Sequence, residues 1–359
     1  MGRKSNFNPG PAVLPEDVLK QAQSDMMNFR GLGTGIMEIS HRSKEFIALL
    51  EHTQATLRRL LSLDDSTHIL FCQGGARTQF AMVPMNFLHT SGAYVDTGVW
   101  SDKAIEESQR VGDTKVIATS KEQKYNHIPH PHSYTLNGDE SYLHLTSNNT
   151  IYGTQVHEWP ETNGVPLIVD MSSDIASRKL DYNQFDMVYA GAQKNIGTAG
   201  VTLVLLKDEF AKKAKFDHLS HMLRYDTFIQ SNSLYNTPPV WSIYIVSLVL
   251  DWLEAQGGID KVEENNTKKV ELLYSTVDEM EFYTGTAQKD SRSMMNVTFR
   301  LPTEELDKRF VADGLEAGFI GLKGHRLSGG IRVSCYNAVT VEDVERLVDF
   351  MKDFAKKHG

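Results

Sequence analysis

Cysteine is nearly absent: Cys72 and Cys335 are the only two in 359 residues, with no C-x-x-C spacing and no framework of pairs. A disulfide scaffold is excluded on that count, and a reducing compartment is expected. A basic surplus is also missing. Lys and Arg total 37 against 46 Asp and Glu, a formal net charge of −9, so no basic field is available to hold a polyanion. Long hydrophobic runs are lacking too. The most apolar stretch, Val240 to Leu253 (VWSIYIVSLVLDWL), is interrupted by Asp251, too short to span a bilayer, and reads as a buried helix. The N-terminal MGRKSNFNPGP has no apolar core of a secretory signal, and Asn6 stands where myristoylation needs Ser or Thr. The expected location is cytoplasmic. No repeat or low-complexity tract occurs, and the N-x-T triplets at Asn148 and Asn265 read as chance matches.

What the chain has instead is a recurrence of short, β-rich apolar runs. They start at His68 (HILFCQGG), Ala93 (AYVDTG), Thr114 (TKVIAT), Tyr142 (YLHLTSN), Pro166 (PLIVDMS), Met187 (MVYAGAQK) and Val201 (VTLVLLK), several of them separated by segments of helical spacing. Continuous runs of this kind predict an α/β sheet whose strands are buried on both faces by covering helices. Ligands gather just past the strand ends of such sheets. Several ends here carry chemically capable residues: Gly74-Gly75-Ala76-Arg77, Asp96, Asn148 to Thr150, Asp170 and Gln193-Lys194. Beyond the apolar helix, the polar, glycine-containing stretch Glu254 to Asn266 predicts a domain boundary. A helix over 261–280, strands at SMMNVTFRL and GGIRVSCYN, and a last helix capped by Thr340 follow it. Val341, Val344, Leu347, Val348, Met351 and Phe354 make one apolar stripe on that last helix, as core packing requires.

Lys194 lies in VYAGAQKNIGTAG, between an apolar run and a Gly/Ala-rich turn, where a charged side chain gains little from packing. Schiff-base chemistry needs such a lysine, held at a strand end and neutral part of the time. Pyridoxal phosphate (PLP) adds three demands: amide N–H groups or cations for its phosphate, a flat apolar face for its ring, and a carboxylate for its pyridine nitrogen. QGGART supplies a glycine turn before a helix start, Trp100 supplies a ring, and Asp170 ends the apolar run VPLIVD. A carboxylate there is costly to hold charged without a cationic partner. Spacing alone leaves PLP chemistry and a nucleotide-binding α/β protein both open. The glycine run GLGTGI at Gly31 to Ile36 is not G-x-G-x-x-G and follows no strand, so it fails the dinucleotide pattern.

The motifs AGAQKNIGTAG, MEISHRSKEF, FCQGGARTQFA, YNTPPVWSIY and LKGHRLSGGIRVSCYNA, with NFNPGPAVLP at the start, resemble the phosphoserine aminotransferase family end to end. The resemblance implies a fold type I PLP enzyme. Its large domain would hold a seven-stranded, mostly parallel sheet, beside a small C-terminal α+β domain, and two copies would form a homodimer with shared active sites. With the boundary above, residues 1–15 form a segment associated with the small domain, 16–257 the large domain and 258–359 the small one. Carried over motif by motif, Lys194 is the Schiff-base lysine and proton shuttle, and Asp170 the pyridinium partner. Trp100 stacks on the ring, and Thr150 bonds the ring hydroxyl. Ala76, Arg77 and Gln193 form the phosphate cup, and Asn236 and Thr237 reach that phosphate from the neighbouring subunit.

The implied reaction moves an amino group from L-glutamate to 3-phosphohydroxypyruvate, giving 2-oxoglutarate and O-phospho-L-serine. Both partners carry a carboxylate at the reacting end, which suits a bidentate arginine, and Arg332 matches it. The far end is a phosphate in one and a carboxylate in the other, so a shared cationic pocket is implied. His41, Arg42, His325 and Arg326 match it, with Arg77 contributing. Some members also act on a phosphorylated keto acid of pyridoxine synthesis. Pro9 and Ala76 depart from common family residues, and Ala76 is compatible only where its turn needs no positive φ. An aminotransferase for another keto acid, of the alanine–glyoxylate type, and a non-catalytic protein on the same scaffold are the other readings. The two His-Arg pairs argue against the first, and the intact Lys194 and Asp170 against the second. YNHIPHPHS, with His127, His130 and His132, reads as a loop, and no metal is assigned to it.

Overall fold

The computed structural model describes residues 3–359. The seven apolar runs form one sheet: β1 (Thr67–Gln73), β2 (Ser91–Asp96), β3 (Asp113–Thr119), β4 (Tyr142–Thr146), β5 (Leu167–Asp170), β6 (Met187–Gly191) and β7 (Val201–Lys207). Their spatial order is β1-β7-β6-β5-β4-β2-β3. Strand β7 is antiparallel to both its neighbours, and every other adjacent pair is parallel. Six strands therefore end on the same edge of the sheet, which is where Asp96, Asp170 and the turn leading to Lys194 emerge.

The pleat sends alternate residues into different cores. Ile69 and Phe71, Ala93 and Val95, Leu143 and Leu145, Leu167 and Val169 share one core with the helices Lys44–Leu60 and Val240–Ala255. Leu70 and Cys72, Tyr94, Tyr142, Ile168 and Tyr189 face the other way, onto Phe80, Val83 and Phe87 of the helix Ala76–Phe87. Helices thus cover both faces, as the unbroken apolar runs require. Strand β3 departs from that expectation. It is an edge strand with a single neighbour, none of its residues is buried, and Val116 is 45% exposed.

A second core lies under a three-stranded antiparallel sheet of Thr284–Gly285, Asn296–Arg300 and Ile331–Ser334. The last helix, Val341–His358, begins with a capping box in which Thr340 and Asp343 bond each other's backbone N–H. Its buried stripe is Val344, Leu347, Val348, Met351 and Phe354, while Val341, in the first turn, is only half-buried. The polar stretch expected to separate the domains is mostly helical. The chain breaks only at Gln256 and Gly257, which has φ of +102°, and then runs as one helix over Gly258–Glu279. Ile259 and Val262 of that helix join the large core, whereas Val270, Leu273 and Val277 join the second, so one rigid rod enters both. At the other end of the chain, Ser5–Asn6 pairs with Phe319–Ile320 and Phe7 is buried in the second core. No helix among the described residues is long and apolar enough to cross a membrane.

The long helix also buries a charge. Lys269 Nζ donates to the carbonyls of Cys335, Tyr336 and Val339 at 3.1, 2.9 and 2.9 Å, and burial pushes its pKa down to about 8. The unfolded chain, with an ordinary lysine, binds more protons than the folded one between about 8 and 10.5. Stability therefore rises with pH across that window. Lys269→Met removes this contribution. Urea unfolding at both ends of the window is expected to show the parent gaining on the variant, by on the order of 1–3 kcal/mol, as pH rises.

Candidate active site

Strands β5 and β6 are parallel neighbours, with Asp170 in register with Tyr189. β5 stops on Asp170, and β6 stops at Gly191, three residues before Lys194, so both functional groups leave the same edge of the sheet from adjacent strands. Asp170 is 5% exposed, and its Oδ1 accepts from the Ser172 amide at 2.9 Å and the Ser172 hydroxyl at 2.6 Å. Ser172 Oγ in turn accepts from the Gly191 amide at 3.1 Å, which ties the two strand ends together. These bonds occupy Oδ1 and leave Oδ2 without a protein donor among the described residues.

Lys194 is half-buried. Burial pushes the ammonium pKa down, Asp170 and then Asp174 pull it back up, and Arg332 pushes it down further. Asp170 shows the reverse: burial raises its carboxyl, and Lys194 is the strongest influence lowering it. Each group is thus the largest charge acting on the other, and both shifts favour the neutral forms. An amine whose protonated form is disfavoured is what carbonyl chemistry requires.

Trp100 and Thr150 complete the wall. Lys194 Nζ lies 5.6 Å from the centroid of the Trp100 ring, and Arg77 Cζ lies 5.9 Å from the same centroid. Trp100 Nε1 donates to Thr150 Oγ1 at 3.1 Å, and Arg332 Nη1 donates to the Thr150 carbonyl at 2.9 Å. Arg332 is 7% exposed, and its Nε is buried with no hydrogen-bond partner. A buried guanidinium with an orphaned donor is fitted to a carboxylate brought in by a ligand.

The turn Gly74-Gly75 joins β1 to the helix Ala76–Phe87, with Gly75 as N-cap and no side-chain cap. The first amides of that helix, those of Ala76 and Arg77, are therefore free to meet an anion. Gly74 takes φ of +92° and Ala76 does not have positive φ, so the alanine in place of a third glycine leaves the turn intact. Gln193 is half-buried, and its carbonyl accepts from the Ala12 amide at 2.9 Å. The free Asp170 oxygen, the ring of Trp100 and the uncapped amides match the three demands of PLP, and the orphaned Arg332 Nε is left for a substrate carboxylate.

Other residues singled out in the sequence lie apart within one chain. Asn236 and Thr237 are exposed and held beside β1, where Gln73 Nε2 donates to Asn236 Oδ1 and the Thr237 carbonyl, each at 2.9 Å. His41, with a buried and unpartnered Nε2, and exposed Arg42 precede the helix Lys44–Leu60 and share no hydrogen bond or ion pair with the cleft. His325 and Arg326 line a separate 530 Å³ cleft with Arg300, Lys308 and Lys323. Their link to the Lys194 cleft is electrostatic. Burial lowers the His325 pKa, and Arg332 and then Arg326 lower it further.

Sequence reasoning missed three residues. Ser172 was adjacent to Asp170 at the i+2 spacing of a side-chain turn, a signal that was there to use. Asp174 is fully buried on Ser147, Gln155 and Arg178, and only the fold shows that its charge reaches Lys194. Gly10 packs on Lys194 from 184 positions away, which no local pattern reveals.

Known proteins resemble this chain over nearly its whole length. The Aminotransferase class-V family description matches residues 5–347. A phosphoserine aminotransferase of Shouchella clausii is 52% identical over 355 residues, covering 99% of this chain and 97% of that one. The solved phosphoserine aminotransferase of Bacillus circulans subsp. alkalophilus superposes with a TM-score of 0.97 at 49% identity, covering 99% of each chain. The PLP-bound phosphoserine aminotransferase of Trichomonas vaginalis does so at 0.93 and 31% identity, covering 98% of this chain and 100% of that one. The chain belongs to the class-V aminotransferases, within their phosphoserine aminotransferase branch, and PLP is its cofactor.

Proposed function

We propose that this cleft transfers the amino group of L-glutamate to 3-phosphohydroxypyruvate, giving 2-oxoglutarate and O-phospho-L-serine, with the roles below. Bound PLP supplies an electron sink for the bond-breaking at Cα. Lys194 holds the cofactor's carbonyl carbon, and its freed Nζ takes the proton from the substrate Cα. Asp170 Oδ2 would keep a proton on the ring nitrogen, while Ser172 fixes the carboxylate through Oδ1. Trp100 would stack on the ring, Thr150 would bond its hydroxyl, and Ala76, Arg77 and Gln193 would hold the phosphate. Arg332 orients the substrate carboxylate, anchored to the Thr150 carbonyl so that its plane is set before substrate arrives. Asp174 keeps part of the Lys194 charge in balance from behind.

The adjacency of Asp170 and Lys194 at two neighbouring strand ends carries this reading. Adding O-phospho-L-serine to PLP-loaded protein should convert the visible absorbance of the lysine-bound cofactor to that of its amine form, and 3-phosphohydroxypyruvate should restore it. An unchanged spectrum with phosphoserine, together with conversion by alanine and recovery by glyoxylate, would favour the rival keto acid. Arg332→Lys keeps the charge but loses the two-pronged geometry, so KM for both substrates is expected to rise about tenfold to a hundredfold. Steady-state kinetics measures it.

Two copies form the working unit in this reading. Asn236 and Thr237, exposed beside the mouth of β1, then reach the partner's phosphate site, and His41, Arg42, His325 and Arg326 complete the cationic pocket. Residues 1–15 with 258–359 form the small domain and 16–257 the large one, supported by the two separate cores and by the pairing of Ser5–Asn6 with Phe319–Ile320. The cytoplasm, where this reaction feeds amino-acid synthesis, is its place in the cell.

A further inference from the structure

Residues 5–12 run from the second core to the catalytic lysine, and each step is held by a named contact. Ser5–Asn6 adds a short parallel strand to Phe319–Ile320, and Phe7 is fully buried in the second core. The Phe7 amide donates to the Ile320 carbonyl at 2.9 Å. The Pro9 carbonyl then accepts from the Tyr336 hydroxyl at 2.7 Å. The Ala12 amide donates to the Gln193 carbonyl at 2.9 Å, one residue before Lys194. Between these last two ties lies Gly10, at φ of +135°, where a Cβ would sit 3.2 Å from Lys194 Cγ and 3.7 Å from its Cε.

We propose that Gly10 is a positioning residue for Lys194, and that residues 5–12 act as a strap by which the second core sets the path of the lysine side chain. The backbone at Gly10 forms one wall of the channel through which the Lys194 stem reaches the cleft. A side chain there would push the methylene chain sideways, and the left-handed φ adds strain for any other residue. Tyr336 anchors the strap to the strand that carries Arg332, since it follows Ile331–Ser334 by two residues. Asn337 repeats the link from the opposite side of the lysine, its amide donating to Asn195 Oδ1 at 3.1 Å. Movement of the second core is thereby felt at the lysine through its preceding residue, its own stem and its following residue. The strap meets Lys194 through carbon, so its effect is on where the amine sits, and thereby on how far it stands from Asp170 and Arg332.

The proposal rests on the reading of Lys194 as the PLP lysine, and the parent protein tests that reading separately. Parent protein incubated with PLP should gain the visible absorbance of a lysine-bound cofactor. If it does not, the functional reading fails, whatever the variants do. Given a coloured parent, Gly10→Ala is expected to lower kcat by about tenfold to a hundredfold, as a misplacement of a reacting group by a fraction of an ångström does. It should also slow PLP uptake and shift the absorbance maximum or its pH midpoint, with KM for glutamate little changed. Tyr336→Phe keeps the buried ring and removes the hydroxyl that bonds the Pro9 carbonyl and lies beside the Asn296 side chain, so it tests the strap if Gly10→Ala does not fold. It should give the same spectral change in smaller measure, with a severalfold loss in kcat. Variants that fold and match the parent in spectrum, uptake and kcat overturn the proposal. So does a loss confined to thermal stability, which is what a purely structural segment would show.

Discussion

Lys194→Ala is expected to abolish transamination, lowering kcat by at least about four orders of magnitude, the upper range of what a positioned acid–base group contributes. Two functions are lost in one substitution. The cofactor has no amine to hold it, so added PLP should leave the protein without the visible absorbance of the parent. The substrate Cα also has no base, because among the described residues Nζ is the one amine placed against Trp100 and governed by Asp170. Lys194→Arg should fail equally, since a guanidinium does not give up its proton at any working pH. The fold should persist in both. Lys194 is half-buried and makes no protein hydrogen bond among those described, so its removal leaves little unsatisfied. Circular dichroism with an absorbance scan separates the outcomes, and a variant that retains colour and turnover removes Lys194 from the mechanism.

Asp170→Asn is expected to cost about a thousandfold in kcat, equivalent to roughly 4 kcal/mol of transition-state stabilisation. Asparagine keeps the shape and can still accept from Ser172 through its oxygen, so geometry survives. What disappears is the negative charge that keeps a proton on the ring nitrogen. Asp170→Glu should recover part of the loss by restoring charge at a displaced position. Stability should move the other way. In PLP-free protein, burial raises the Asp170 carboxyl above its ordinary value. A raised carboxylate pKa means that the folded protein favours the protonated form, so stability falls as pH climbs through the folded value, and at neutral pH the buried charge is a net cost. The PLP-free asparagine variant is accordingly expected to melt at the same temperature as the parent or higher. PLP should then raise the melting temperature of the parent more than that of the variant. An active Asp170→Asn enzyme would contradict the role, whatever its stability.

Much of this cleft is legible in the chain itself, for a physical reason. Lys194 and Asp170 stand at the ends of apolar runs, where burial gives a charge no advantage unless something binds it. The glycines after β1 announced a free helix N-terminus, and the structure has one at Ala76. The motifs also carried Trp100, Thr150 and Arg332, which one chain brings together through two hydrogen bonds. What escaped was relational. Edge position decides the exposure of β3, yet TKVIAT reads like its buried neighbours because strand order is not a local property. The stretch after Ala255 looks like a linker by composition, but its polar residues are the exposed face of a helix that enters both cores. Asp174 and Gly10 act on Lys194 only through tertiary proximity. His41, Arg42, Asn236 and Thr237 are local motifs that one chain leaves outside the Lys194 cleft, and no local pattern places them.

One amine carries the chemistry proposed for this cleft. Reducing PLP-loaded protein with borohydride fixes the cofactor to whichever lysine holds it, and peptide mass mapping then reads the position. The prediction is a single pyridoxyl-phosphate mass on Lys194, in the peptide containing AGAQKNIGTAG, at close to one per chain. A label on buried Lys269, a label spread over surface lysines, or none at all would contradict it.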